Sequence, residues 1–547
     1  MRPMMARDAI RRPWVALALG RLLLEGLTRT VLGDTGADTS PGTGRLTGLL
    51  QRELAAPGRW GAMVTRLDGT LLFATNAHEA FIPASTTKLF IGALALDHLG
   101  AGARIQTPVR VSRPPDADGT LRSDLWVLGQ GDPTLGTAPR TASQGAVGSR
   151  DDALVPWVER WRSMGLRRIE GDLVMCDAAV QVPEYGPGWE DEDRAEAYAA
   201  PVSAFVVNDN SFRVAAPPVS PGTASVPFRI DPPLPALEVV WAVSPGTNAT
   251  HRIQSIRPGP DRPVEIRGRF ATGTNGWSSD LAVAHPAQVF GELLRRTLER
   301  RGVPVTGTVR VSRSAEDCPP VAWDRWTSPS LDQRLGLCLK PSQNLHAQLL
   351  LAEVGRDARS AAGSPSSPAS PGGADGPTGP PNLPPARHDL MGLARLPALL
   401  ARAGITPAEV HLEEGSGLSR SNRVSPAATV ALLCFMAGHP HREAWKESLP
   451  RAGVDGTLRN RFRSGRARGV VRAKTGSLRG VQALGGYVRT AGGEEWAFAI
   501  YASEAGNAAE ARARMDRWVE ILAGEAPEGA GGSSEPGATR PPGRPPG

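Results

Sequence analysis

Between residues 106 and 282 the chain changes character, and this break limits its fold more than any other feature. Short β-like runs, Leu125–Leu128, Leu173–Cys176, Phe205–Val207 and Leu237–Val243, are separated there by Pro- and Gly-rich turns. Before the break, Thr43–Leu54 has the spacing of a short amphipathic helix, and Trp60–Leu67 and Leu71–Thr75 read as strands joined by an Asp-Gly turn. An apolar helix then runs from Phe81 to about Leu99, with Pro83 near its start and Gly100 at its end. After the break, helical pattern returns at Pro286–Arg301, beyond Pro341 and over Leu390–Ala403. Strands are expected at Ala483–Arg489 and Glu495–Tyr501, and a closing helix at Ala508–Leu522. A β-rich insert therefore interrupts a mixed helix and strand unit, and 547 residues with 40% apolar content suffice for a sizeable core.

Two stretches stand outside this pattern. Arg2, Arg7, Arg11 and Arg12 precede an apolar segment Trp14–Leu19, which resembles the start of a secretion signal, although Arg21 and Glu25 interrupt it. A bilayer span needs roughly twenty apolar residues, so at most peripheral membrane association is expected. Arg356–Arg387 is dominated by Gly, Ser, Pro and Ala and is expected to be a flexible loop within a domain, and residues after Ala526 form a Gly/Pro tail.

Charge narrows the function. The net charge is +7 and the pI about 9.7, but the basic residues are spread along the chain, which fits a mild preference for anionic polymers and not nucleic acid. Of 62 lysines and arginines only four are lysines: Lys88, Lys340, Lys446 and Lys474. Arginine cannot act as a base in a protein, whereas a desolvated lysine loses its proton near neutrality, so a retained lysine invites a chemical explanation. Lys446, in the polar stretch His441–Glu447, needs none. The four cysteines, Cys176, Cys318, Cys338 and Cys434, form no C-x-x-C pair, so no metal site is expected, and a Cys318–Cys338 bridge is left open.

Ser85-Thr86-Thr87-Lys88 places a hydroxyl and an amine three positions apart at a helix start, on one face and within mutual reach. The serine N–H there lacks an intrahelical partner and is free to meet a developing oxyanion. Ser342-Gln343-Asn344 supplies a hydroxyl and an amide ahead of a helical run. Lys474-Thr475-Gly476-Ser477 lies where a strand should begin; the glycine would let a substrate backbone approach, and Lys474 with the hydroxyls would hold a carboxylate. S-x-x-K alone is a common pattern. In the order S-x-x-K, S-x-N, K-T-G, the three are the known signature of penicillin-binding proteins and β-lactamases.

The chain resembles the D-alanyl-D-alanine carboxypeptidase/endopeptidase family of low-molecular-mass penicillin-binding proteins (peptidase family S13) from about Thr43 to Leu522. Further stretches carry the likeness: Phe81–Leu89, Leu128–Pro133, Tyr198–Asn210, Gly415–Arg420, Ala452–Leu458 and Ala473–Leu478. The separation of 257 positions from Ser85 to Ser342 is family-like too; ordinary β-lactamases have a far shorter one. The resemblance implies an α+β fold, a penicillin-binding/β-lactamase-like antiparallel sheet flanked by helices, made by residues 41–105 and 283–524. Residues 106–282 would be a β-rich insert of two nested domains, with 1–40 signal-like and 525–547 a disordered tail. By the same resemblance Ser85 attacks the peptide carbonyl, Lys88 takes its proton, and Ser342 and Asn344 relay protons and orient substrate. Lys474 and Thr475 recognise the terminal carboxylate, and the N–H groups of Ser85 and Ser477 form the oxyanion hole. Arg420 would face an acidic diaminopimelate side chain or else make a structural ion pair. Asp177 would contact the peptide or serve a turn.

Glu414 departs from the family, which usually has Asp there, and Gln343 fills the variable middle of S-x-N. Peptidoglycan peptides and β-lactam antibiotics are the implied partners, the cell envelope or periplasm the implied location, and no cofactor or metal is implied. A β-lactamase would share the acylation machinery but lack the long insert. A Ser-His-Asp hydrolase would need a G-x-S-x-G turn, which is absent. A binding module with a vestigial site would not keep all five of Ser85, Lys88, Ser342, Asn344 and Lys474.

Overall fold

A computed structural model describes residues 41–136, 150–247, 250–362 and 387–525. The signal-like segment, the tail beyond 525 and most of the Gly/Ser/Pro stretch lie outside them. That stretch also starts later than expected, because the helix Asn344–Ala362 runs past Arg356.

A five-stranded antiparallel sheet carries the site, in the order Val471–Leu478, Val481–Arg489, Glu495–Ser503, Arg59–Arg66, Leu71–Thr75. Its chemistry is written in the strand Glu495–Ser503. Trp496, Phe498, Ile500 and Ala502 point to one face, where Pro41–Leu54 and Ala508–Ala523 cover them. Ala497, Ala499 and Tyr501 point to the other, where small side chains admit the helices Thr87–Leu99 and Pro426–Ala437. Burying each large side chain contributes about 1.5–3 kcal/mol. Thr87–Leu99 is apolar all round, and its residues from Thr87 to Leu96 are all buried. Lys88 is in that run, so its ammonium sits where water cannot solvate it.

The insert is built on a second five-stranded sheet, ordered Val309–Ser312, Leu173–Cys176, Leu125–Leu128, Gln106–Val111, Val321–Thr327. Two three-stranded sheets and the helix Pro286–Arg300 share its hydrophobic core. The insert core thus extends to Thr327, beyond the expected end at 282, because the last two strands flank the sheet instead of joining the catalytic one.

Two local expectations differ, and the open question of a disulfide is answered. Among the described residues Phe205–Val207 makes a single bridge, from Val207 to Gly136, and leads into a left-handed run at Asn208, Asp209 and Asn210 (φ 52, 57 and 51°). Leu390–Ala403 is two helices, His388–Leu393 and Leu396–Arg402, the second started by Pro397. All four cysteines are free: Cys338 lies in the catalytic core, whereas Cys318 packs with Cys176 against the insert sheet, so the Cys318–Cys338 bridge is excluded. Among the described residues no helix is long and apolar enough to cross a membrane, and no cluster of potential metal ligands occurs.

Candidate active site

Ser85 sits in a 3-10 turn, Ala84–Thr86, that leads into the buried helix, after Ala84 in the left-handed region (φ 46°). Such a backbone is costly for alanine and holds the half-buried serine at the tip of the turn. Lys88 Nζ donates to Ser85 Oγ at 2.9 Å, to Asn344 Oδ1 at 2.6 Å, and to the Ser416 carbonyl in a short contact. Burial pushes the Lys88 pKa down to about 8, against the pull of Cys338 and Glu414. When neutral, the amine still donates to Asn344 and Ser416, and its lone pair faces the Ser85 hydroxyl.

Lys474 Nζ donates to Ser342 Oγ at 2.8 Å and to the Thr475 carbonyl at 2.7 Å. Desolvation first, then the like charge of Lys88, hold its pKa well below the usual lysine value. The two buried lysines thus lie near enough that charge on one disfavours charge on the other. Thr475 Oγ1 donates to Thr457 Oγ1 at 2.8 Å, and Ser477, exposed, donates to Gln482 Oε1 at 2.8 Å. The five residues Ser85, Lys88, Ser342, Asn344 and Lys474 are therefore linked by direct hydrogen bonds in two groups, and the lysines of the two groups interact electrostatically.

K-T-G does not begin a strand; it lies inside Val471–Leu478, the edge of the sheet. Gly476 has a further structural reason. A Cβ there would lie 2.6 Å from the Pro83 carbonyl, so the turn that carries Ser85 closely approaches the strand. Arg420 donates to Glu190 at 3.2 Å and to the Arg479 carbonyl at 3.0 Å, which places it in an ion pair at the rim. Asp177 is half-buried and accepts from the Ala204 N–H at 2.9 Å and from the Ser203 hydroxyl at 3.3 Å, an anchor within the insert. The two remaining lysines are accounted for by ion pairs, Lys340 with Asp455 at 2.7 Å and Lys446 with Glu495 at 2.6 Å. A separate cleft of about 530 Å³ beside Trp60 and Asn76 contains none of the site groups.

Two acidic residues escaped the motif reading. Asp209, from the left-handed run of the insert, accepts from Gln343 Nε2 at 2.7 Å and from His346 Nε2 at 3.0 Å. Asn344 Nδ2 donates to the Tyr198 carbonyl at 2.8 Å, so the insert grips S-x-N from two sides. Ser342 is itself left-handed (φ 67°), a conformation that needs such support. Glu414 is buried beneath the Gly415–Ser419 loop. The signals were present as the Asn-Asp-Asn triplet, whose residues tolerate left-handed backbone, and as the unusual Glu at 414.

The D-Ala-D-Ala carboxypeptidase 3 (S13) family profile matches residues 47–368 and 389–523. The D-alanyl-D-alanine carboxypeptidase of Actinomadura sp. (strain R39) is 30% identical over 527 residues, 92% of this chain and 90% of that protein. The D-alanyl-D-alanine carboxypeptidase DacB of Haemophilus influenzae is 25% identical over 430 residues, 77% of this chain and 80% of that protein. The crystal structure of Haemophilus influenzae penicillin-binding protein 4 superposes with a TM-score of 0.69 at 23% identity, covering 86% of this chain and 97% of that one, a likeness of fold.

Proposed function

The chain belongs to the D-Ala-D-Ala carboxypeptidase 3 (S13) family and is a serine-type D-alanyl-D-alanine carboxypeptidase; from this premise we propose how its own residues do the work. The supporting observation is the contact of Lys88 Nζ with Ser85 Oγ at 2.9 Å in a buried pocket. Neutral Lys88 takes the hydroxyl proton as Ser85 Oγ bonds to the carbonyl carbon of the penultimate D-alanine. The N–H groups of Ser85 and Ser477 receive the oxyanion. The C–N bond then breaks, a proton returns through Ser342 to the leaving amine, and water releases the acyl group from Ser85. Lys474 and Thr475 hold the terminal carboxylate of the substrate, and Asn344 fixes Lys88.

The substrate is a peptidoglycan stem peptide laid along the edge strand Val471–Leu478 past its Arg451–Arg472 bridge, where a peptide adds as a further strand. Cleavage of cross-links would use the same atoms, which makes the enzyme an endopeptidase as well. β-Lactams mimic the scissile bond and acylate the same serine; a β-lactam complex is known for the Haemophilus influenzae protein of like fold. Because this polymer lies outside the cytoplasmic membrane, the enzyme works in the cell envelope. The proposed steps use side chains, backbone N–H groups and water, and call on no cofactor.

The test is labelling with fluorescent penicillin, followed by peptide mapping. An adduct on Ser85, with release of D-alanine from an L-lysyl- or diaminopimelyl-D-alanyl-D-alanine peptide that Ser85→Ala abolishes, is the expected result. An adduct elsewhere, or none at high drug concentration, would overturn the assignment.

A further inference from the structure

We infer that Glu414 is the counter-charge of Lys88 and its positioning residue, acting through the single peptide group that joins Ser416 to Gly417; this rests on the reading of Lys88 as the base. Glu414 Oε1 accepts from the Gly417 N–H at 2.6 Å, Asn422 Nδ2 at 3.0 Å and the Ser419 N–H at 3.4 Å. Oε2 accepts from the Ser416 N–H at 2.6 Å, Ser416 Oγ at 2.5 Å, Gln348 Nε2 at 2.9 Å and Trp189 Nε1 at 3.3 Å. None of these donors is charged. The cation stands one peptide away: Lys88 donates to the Ser416 carbonyl, whose amide partner is the Gly417 N–H. One planar amide thus has an ammonium at its C=O end and a carboxylate at its N–H end, and each charge polarises it in the same sense.

The loop is shaped for this contact. Gly417 has φ 86°, and a Cβ there would lie 2.0 Å from the Ala84 carbonyl and 3.0 Å from the Ser85 nitrogen, so only glycine brings the amide against the nucleophile's turn. The ionisable groups facing Lys88 are Cys338 from Leu331–Leu339, Lys474 from Val471–Leu478, and Glu414. Burial pushes the Cys338 thiol up to about 11, so it is neutral in the working range, and Lys474 opposes any further positive charge. Glu414 is then the anion that keeps Lys88 basic against desolvation, while its cage of donors holds the acceptor that aims the amine at Ser85.

The experiment measures the rate of Ser85 acylation by penicillin against pH in the full chain, for wild type, Glu414→Asp and Glu414→Gln. The midpoint of the acid limb is expected to fall in that order, because losing the carboxylate lets Lys88 shed its proton at lower pH; the plateau should fall at least tenfold in Glu414→Gln. Merely structural damage would lower the plateau and leave the midpoint in place, and that result would overturn the proposal. An amide among so many donors is capable of blocking folding, in which case Glu414→Asp decides: its limb should move part of the way down, and a profile superposing on wild type refutes the inference. With only four lysines in the chain, ¹³C-lysine NMR titration reads the same ranking directly. Failure of wild type to acylate at Ser85 would instead refute Lys88 as the base.

Discussion

Replacing Asp209 by alanine is expected to slow acylation without weakening the encounter with penicillin. The carboxylate comes from the insert and receives Gln343 at 2.7 Å and His346 at 3.0 Å, one on each side of Asn344 in the sequence. A hydrogen bond to a charged group is worth about 1.5–3 kcal/mol, so losing both costs roughly 3 kcal/mol of docking after relaxation. That amount corresponds to about a hundredfold shift toward arrangements in which Ser342 has left its strained conformation and Asn344 no longer meets Lys88. Alanine also tolerates the left-handed backbone at 209 less well than aspartate. Stopped-flow fluorescence with a labelled penicillin separates the Kd of the first complex from the rate of bond formation. The rate should fall about ten- to a hundredfold with Kd changed by less than threefold. Asp209→Asn should keep most of the rate, since its amide oxygen still accepts from His346 and the Gln343 amide turns over to meet its NH2. A rate within twofold of wild type in Asp209→Ala would refute the idea that the insert holds the S-x-N segment in place.

Acylation should climb with pH toward a plateau above pH 8, because the base must be neutral and burial sets the Lys88 pKa to about 8; at pH 7 the rate should be about a tenth of the plateau. A limb centred near 10.5, the ordinary lysine value, would show that burial does not depress the pKa of the base as it does in the Lys88 site described here. Lys88→Arg should be nearly as damaging as Lys88→Ala, since arginine accepts no proton, whereas Lys474→Arg should retain more acylation than Lys474→Ala; equal tolerance at both positions contradicts the division of roles. Arg420→Ala should lose a preference of about ten- to a hundredfold for a diaminopimelate peptide over its acetyl-lysine analogue in kcat/KM while keeping penicillin acylation, provided that Arg420 exchanges Glu190 for the substrate carboxylate. An unchanged preference marks the ion pair as structural.

The sequence carried the catalytic sheet and helices to within a few residues, because their apolar periods are long and their ends carry Pro and Gly. Val481–Arg489, Glu495–Ser503 and Ala508–Ala523 lie close to where periodicity put them. Leu390–Ala403 read as one helix because Pro397 fits the first turn of a helix as well as it breaks an interior, and only the three-dimensional path shows which occurs. Short strands such as Val309–Ser312 are invisible to pattern, since four residues hold too little period and their partner Leu173–Cys176 is remote. The same remoteness hid Asp209 and Glu414. A motif names residues whose neighbours in sequence are constrained, whereas these two matter through neighbours in space. Gly476 shows the converse: the motif marks the residue, and the structure adds a neighbour remote in sequence, the Pro83 carbonyl, that a Cβ there would meet.

The pairing of Arg59–Arg66 with Glu495–Ser503 also has a consequence in time. Residue 66 lies against residue 496, so this central ladder cannot form until nearly all of the chain has been made. At synthesis rates of about 5–20 residues per second, the segment bearing Ser85 waits roughly 20–90 s for the strand beside it and for Lys474. During that interval the strand bearing Lys474 and the central ladder are missing, so the surroundings of Ser85 and Lys88 stay incomplete. Reactivity toward peptides and β-lactams is therefore expected only once the last strands have closed.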